Sequence, residues 1–287
     1  MDNIRILKKE YWPPLLAEIP DQPEKLYIIG DLPSPTQYTY LAVVGSRKYS
    51  NYGKEACREL ISGLAGYPIA IVSGLALGID SIAHQTALEV GLPTIALPGS
   101  GLTKEVLYPP SNRQLAEKIV TSGGCLLSEF DPDFRATLYS FPQRNRLMAG
   151  MSTATLIVEA SEKSGTLITA RLALDYNRDV LVVPGPIFNE GSVGTLRLLK
   201  DGARPVQTSA DILDVLNITS IPSVQPRNEI LSPLEQEICT LLAKEPLERE
   251  KIFLLIKSKP NEISAGLSLL EIKNIIEESG GEFRLCH

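Results

Sequence analysis

The sequence predicts an α/β fold: a doubly wound, mostly parallel sheet with helices on both faces, followed by a small, mostly helical module. Three observations predict it. Short apolar runs ending in Gly, Pro or Ser alternate with stretches of helical periodicity. Most of these runs are continuously apolar instead of alternating, as strands buried on both faces are. The alternation then stops near residue 216, where a stretch rich in Pro, Ser and Thr precedes a differently patterned end. The resulting organisation is a lead-in at 1–35, a sheet domain at 36–216, a linker at 217–228 and a small domain at 229–287.

The expected strands are 26–29, 41–44, 69–72, 94–97, 125–127, 154–158 and 180–183. Residues 52–64 place Ala56, Leu60, Ile61 and Leu64 on one helical stripe, and 79–90 do the same with Ile79, Ile82, Ala83, Ala87 and Val90. Further helices are expected at 112–120, 166–176 and 195–200. Strand alternating with helix implies right-handed βαβ units, hence a Rossmann-like sheet. The lead-in, with Trp12, Pro13 and Pro14, has room for one helix and one strand at most. In the last 60 residues, Ser232, Pro233 and Glu235 form a capping box with proline at the first helical position. Helices are expected from there to 243, at 252–257 and at 263–278, with a strand at 283–286. Three helices and a terminal strand suggest a winged-helix-like domain.

With 287 residues and 44% apolar content, the chain can bury a sizeable core. Its four cysteines, Cys57, Cys125, Cys239 and Cys286, are scattered, which suits neither a zinc site nor a disulfide framework. No metal or cofactor is expected. No apolar run reaches the roughly 18–20 residues that a membrane helix needs, and no leader pattern opens the chain. The expectation is a cytoplasmic protein with reduced thiols. The net charge of −6 weighs against a generic nucleic-acid coat, so any such binding must rest on a local basic site.

Ligands of a doubly wound sheet sit beyond the carboxyl ends of its strands. There the sequence places Gly45-Ser46-Arg47, then Gly74 in the stretch 73–80, Gly99-Ser100, then Lys163-Ser164-Gly165-Thr166, and finally the turns at 184–186 and 191–195. Five glycine-rich turns on one edge free amide N–H groups and allow close approach, and helix N-termini beneath them favour anions. Phosphate is the ligand this suggests. Neither the dinucleotide fingerprint nor the P-loop pattern occurs in its proper context. A second cluster, Phe141, Arg144, Asn145 and Arg146, precedes a helix containing Met148 and Gly150. Its arginines suit phosphodiesters, and Phe141 or Tyr139 could stack a base. Arg144 and Arg146 suit equally well a pairing with a buried acid that braces the helix. From 135 to 171 the chain carries five basic residues, Arg135, Arg144, Arg146, Lys163 and Arg171, against Glu159 and Glu162, so this region is locally positive. His84 follows Asp80 by four residues, and the pair suits a structural bond at a helix start better than acid–base chemistry.

In order, Val43-Val44-Gly45-Ser46-Arg47, Ser73-Gly74-Leu75-Ala76 with Asp80 and His84, Phe141-Pro142 with Arg144-Asn145-Arg146, Ser164-Gly165-Thr166-Leu167-Ile168-Thr169-Ala170, and Val183-Pro184-Gly185 together resemble the DNA-processing protein A (DprA/Smf) family. The resemblance covers roughly residues 41–206. It implies an extended Rossmann-like fold, single-stranded DNA binding without catalysis, loading of RecA in natural transformation, and a homodimer. It maps DNA-binding roles onto Arg47, Lys163 and the Phe141–Arg146 segment. Many members have a lysine shortly before the Phe-Pro step, where this chain has residues 137–140, so Arg135 is expected to substitute. The last 62 residues carry eight basic and eleven acidic side chains, which suits protein contacts better than gripping a duplex.

The competing reading is a nucleotide phosphoribohydrolase of the lysine-decarboxylase-like group. Such enzymes resemble a Pro-Gly-Gly-x-Gly-Thr-x-x-Glu turn whose glutamate does the chemistry. Here Gly194-Thr195 is followed by Leu196, Arg197 and Leu198, and Gly185 by proline, so the glutamate is missing.

Overall fold

The computed structural model describes residues 3–219, 232–242, 246–272, 275–279 and 281–285. The chain divides into two compact units, Met1–Ser223 and Val224–His287. In the first unit the elements run β1 (Arg5–Ile6), β2 (Tyr27–Gly30), β3 (Thr39–Val44), α1 (Asn51–Ser62), β4 (Ile69–Ser73), α2 (Ile79–Glu89), β5 (Thr94–Ala96), α3 (Arg113–Thr121) and β6 (Cys125–Ser128). They continue with α4 (Ser140–Met151), β7 (Ala154–Ile157), α5 (Thr166–Asp175), β8 (Asp179–Val182), α6 (Val193–Lys200), β9 (Arg204–Pro205) and α7 (Ser209–Val215).

The nine strands form one sheet in the order β1-β2-β6-β5-β4-β3-β7-β8-β9. Its members from β6 to β9 are parallel, while β2 runs antiparallel to β6 and β1 antiparallel to β2. Continuous apolar strands are explained by burial on both sides. On β3, Leu41 and Val43 pack with Cys57, Leu60 and Ile61 of α1 and Ile79 and Ala83 of α2. Ala42 and Val44 turn to the opposite face, where Leu147 and Met151 of α4 and Ala170 of α5 close the second core. Burying each such aliphatic side chain stabilises by about 1.5–3 kcal/mol.

The lead-in differs from expectation. Its described residues form two short strands and two 3₁₀ turns, Lys9–Tyr11 and Pro14–Glu18, with no α-helix among them. Prolines 13, 14, 20 and 23 explain this, because each lacks the N–H that a continuing helix needs. Trp12, Leu16 and Ile19 still enter the core. Gly150 permits this: a Cβ there would lie 2.7 Å from Ile19 Cγ2.

Two further differences concern helices. Phe141–Arg146 lie inside α4 and do not precede it; Pro142 is tolerated in its first turn. Strand β9 and helix α7 were not anticipated, although Thr208 and Asp211 form a reciprocal capping box at the start of α7.

The second unit runs α8 (Pro233–Leu242), β10 (Leu247–Glu248), α9 (Arg249–Leu255), α10 (Pro260–Ile272), β11 (Ile276–Ser279) and β12 (Glu282–Leu285), with an antiparallel sheet ordered β10-β12-β11. The expected capping box is present: Ser232 N–H donates to Glu235 Oε2 at 2.7 Å, and Glu235 N–H to Ser232 Oγ at 3.2 Å. The expected helix over 263–278 is instead α10 followed by β11, whose Glu278 pairs with Phe283 across a hairpin. Phe283 fills the centre of this core with Ile238, Ile252, Ile263 and Leu267. Most of the expected linker, and Cys286, lie outside the described residues. Among the described residues, no helix is long and apolar enough to cross a membrane.

Candidate functional site

Chain connection reverses between β3 and β7: β4 lies on one side of β3 and β7 on the other. A crevice is expected outside the carboxyl ends of the strands at such a switch point. A cleft of about 680 Å³ opens there, walled by residues 44–48 after β3, by Ser161, Ser164, Gly165 and Thr166 after β7, and by Phe141, Arg144 and Asn145 of α4. It brings together nine of the expected residues: Gly45, Ser46, Arg47, Phe141, Arg144, Asn145, Ser164, Gly165 and Thr166. Gly74 and Gly99 border a smaller recess of about 30 Å³, which shares Arg47, Phe141 and Arg144 with the cleft.

The turn after β3 is stapled by its own serine. Ser46 Oγ donates to Lys48 O at 2.8 Å and accepts from Lys48 N–H at 3.0 Å. The N–H groups of Ser46 and Arg47 have no acceptor among the described hydrogen bonds. Gly78 fixes this turn against α2. Its φ is +85°, and a Cβ would lie 2.7 Å from Arg47 Cα. Arg47 is exposed, and its guanidinium carbon lies 5.0 Å from the Phe141 ring centroid. Phe141 in turn lies 5.8 Å from the Tyr108 ring and close against Gly99.

Helices α1, α2 and α5 follow β3, β4 and β7 at this edge, and the N-termini of α1 and α2 are already occupied by the protein's own carboxylates. At α1, buried Glu159 accepts from Ser50 N–H at 2.9 Å and from Ser50 Oγ at 2.6 Å. At α2, buried Asp80 accepts from Gly74 N–H at 3.1 Å. Burial pushes Asp80 above the ordinary carboxylate range, opposed by the Arg144 charge and by the Ala76 and Gly74 N–H groups. The expected open amide at Gly74 is therefore spent internally. Of these three, α5 alone has no carboxylate among the described hydrogen bonds at its N-terminus, and its first turn carries no acid. Ser164 Oγ accepts from Thr166 N–H at 3.2 Å, and the Gly165 N–H has no acceptor among the described hydrogen bonds. Lys163 is exposed and is not itself part of the cleft wall, although Ser161 and Ser164 on either side of it are.

The arginines of α4 divide. Arg144 is 4% exposed and donates to Gly74 O, to Leu97 O and, at 3.1 Å, to Asn145 Oδ1. Burial lowers its pKa to about 10, with Asp80 opposing, so it stays charged at neutral pH and clamps the ends of β4 and β5. Arg146 pairs with Glu129, is not part of the cleft wall, and faces away from it. Two residues apart on a helix means roughly 200° around it, so Arg144 and Arg146 cannot share a face. Ser100 is also internal: its Oγ donates to Gly101 O at 2.9 Å and accepts from Tyr108 N–H at 3.2 Å. Arg135 is exposed on the loop before α4, outside the cleft wall.

His84 makes a structural bond. Its Nδ1 lies 2.7 Å from Thr94 Oγ1, not against Asp80. Burial, aided by the Arg144 charge, lowers its pKa to about 3. The unfolded chain takes up this proton below about 6.5 whereas the fold resists it until about 3, so this group costs stability as pH falls through that window. His84→Gln should therefore show a smaller drop in urea midpoint between pH 7 and pH 4 than the parent protein. A drop of equal size would place the acid sensitivity elsewhere.

Two carboxylates were missed as site-formers. Asp80 was readable as an acid in the first turn of α2, but the role of Glu159 needs Ser50, 109 residues away.

Comparison with known proteins matches residues 3–217 to the family model described as DNA recombination-mediator protein A. Protein Smf of Escherichia coli is 41% identical over 231 residues, 80% of this chain and 61% of that protein, so the chain spans less than two thirds of that relative's length. The X-ray structure of DNA processing protein A from Streptococcus pneumoniae superposes with a TM-score of 0.67 at 36% identity, covering 74% of this chain and 73% of that one. DNA processing protein A from Helicobacter pylori, whose structure describes a single-stranded DNA binding mode, gives a TM-score of 0.67 at 32% identity, covering 75% and 96%.

Proposed function

The chain belongs to the DNA recombination-mediator protein A family, and from that premise we propose that it binds single-stranded DNA along the cleft between β3 and β7. One observation carries the reading. At a switch point where two helix N-termini are neutralised by Asp80 and Glu159, the start of α5 stays open, and Arg47, Lys48 and Lys163 take part in none of the described ion pairs. These cations and the free amides of Ser46, Arg47 and Gly165 suit consecutive phosphates. Asp80 and Glu159 are held by backbone and serine donors, which suits a binding role better than general base chemistry. Arg135 extends the basic rim. Gly74, Gly99, Ser100 and Arg144 hold the rim in place, and Arg146 braces α4 through Glu129.

The family also suggests the wider role: protecting incoming DNA as a homodimer and passing it to the RecA recombinase in transformation, in the cytoplasm. The order of helices and strands in the second unit favours a winged-helix-like module serving protein contacts.

Titrating the full chain with single-stranded and duplex oligonucleotides at two salt concentrations tests the central claim. Single strands should bind more tightly, with a log–log salt slope of roughly −0.7 per phosphate held. Equal affinity for duplex and single strand, or a slope near zero, would remove the proposed site.

A further inference from the structure

Phe188 is 95% exposed and Ile187 71%, on the loop between β8 and α6. Large apolar side chains presented this fully to water at a cleft mark a contact surface. The loop is held at its foot. Asn189 N–H donates to Pro186 O at 3.1 Å, and Asn189 Oδ1 accepts from Gly191 N–H at 2.8 Å. Ala160 N–H donates to Gly191 O at 2.9 Å and Gly194 N–H to Ala160 O at 2.8 Å, which ties the loop to the end of β7. Glu190 and Gly191 are themselves part of the cleft wall. Phe188 therefore stands two residues outside the lining, on a loop bonded to the strand end from which Ser161, Lys163 and Ser164 follow.

A second apolar rim is provided by the segment before α4, where Leu138 borders the cleft at 84% exposure and Tyr139 is 83% exposed. Phe141, the aromatic residue inside the cleft, is already engaged by Arg47, Tyr108 and Gly99. A strand held by its phosphates at Arg47, Lys163 and the start of α5 turns its bases away from those charges. Every base offers a π face, and aromatic side chains stack on it with little sequence preference.

We propose that Phe188 is a base-stacking residue, forming with Ile187 a nucleobase subsite on the β7 side of the cleft. The inference rests on the single-stranded DNA reading given above and deepens it. It assigns the apolar loop tip to the bases, as Arg47 and Lys163 are assigned to the phosphates.

The two contributions differ in their salt dependence. With the full chain and a fluorescent single-stranded oligonucleotide, Phe188→Ala should lose about tenfold in affinity and keep the parent salt slope. Phe188→Trp should keep the affinity, and its added indole emission should change on titration relative to the parent, whose single tryptophan, Trp12, is buried in the core. On an oligonucleotide with abasic sites throughout, Phe188→Ala and the parent should bind alike. An unchanged affinity of Phe188→Ala, beside a loss in Arg47→Ala, overturns the subsite and leaves the phosphate cleft standing. An equal loss on the abasic strand, or a changed oligomeric state of the variant by sedimentation, also overturns it by making the loop a different kind of contact. If Arg47→Ala binds like the parent, the cleft reading itself fails.

Discussion

Arg47→Ala should lower single-strand affinity by roughly 10- to 100-fold, the value of a charge-assisted contact of about 1.5–3 kcal/mol, with folding unchanged. Arg47 is exposed, has no described ion-pair partner, and is positioned by the Phe141 ring 5.0 Å from its guanidinium carbon. Its removal leaves no buried group unpaired, so the thermal midpoint should stay where it is. The salt slope should shrink by about 0.7, because one fewer phosphate counterion is released. Lys163→Ala should reduce the slope similarly, with a smaller affinity loss, since an ammonium makes a point contact and lacks the two-pronged geometry of guanidinium. If Arg47→Ala binds as the parent does at both salt concentrations, the strand does not follow this cleft.

Arg144→Ala should be a folding defect, costing about 3–5 kcal/mol and lowering the unfolding midpoint by roughly 10 °C. Two carbonyls, Gly74 O and Leu97 O, lose their donor, and buried Asp80 loses the charge that opposes its desolvation. Those carbonyls close β4 and β5, so the recess beside Arg47 loosens as well. Arg144→Lys should recover only part of the loss, because an ammonium on a flexible stem cannot reproduce the planar fork that reaches both carbonyls. Differential scanning calorimetry of the two variants beside Arg47→Ala separates the roles. A normal midpoint in Arg144→Ala combined with lost DNA binding would make Arg144 a ligand contact and not a brace.

The arginines also show how far the residues could be read without coordinates. Arg47, Arg144 and Arg146 all lie in sequence motifs that suit phosphate, and nothing local separates them. Their fates depend on what the fold supplies. Gly74 O, 70 residues away, takes Arg144, and Glu129, 17 residues away, takes Arg146. Placing Phe141–Arg146 inside α4 from the outset would have made the division of Arg144 from Arg146 visible, because positions two apart on a helix point to opposite sides. The lead-in differs for another reason: its prolines allow two 3₁₀ turns in place of the one expected helix, while Leu16 and Ile19 carry it into the core. Over 263–278 the apolar spacing is ambiguous between helix and strand, and only the pairing of β11 with β12 decided where α10 ends.

The parallel sheet, its helical layers and the glycine turns at its carboxyl edge were determined by the sequence alone, because strands buried on both faces must be continuously apolar and tight βα turns must be small. Which of the gathered charges stay available for a ligand was decided only in three dimensions. Asp80 and Glu159 cancel two helix N-termini, Arg144 and Arg146 are consumed internally, and Arg47, Lys163 and the start of α5 remain. A charge is free or spent according to the partner that packing brings within about 3 Å, and that partner lies far along the chain.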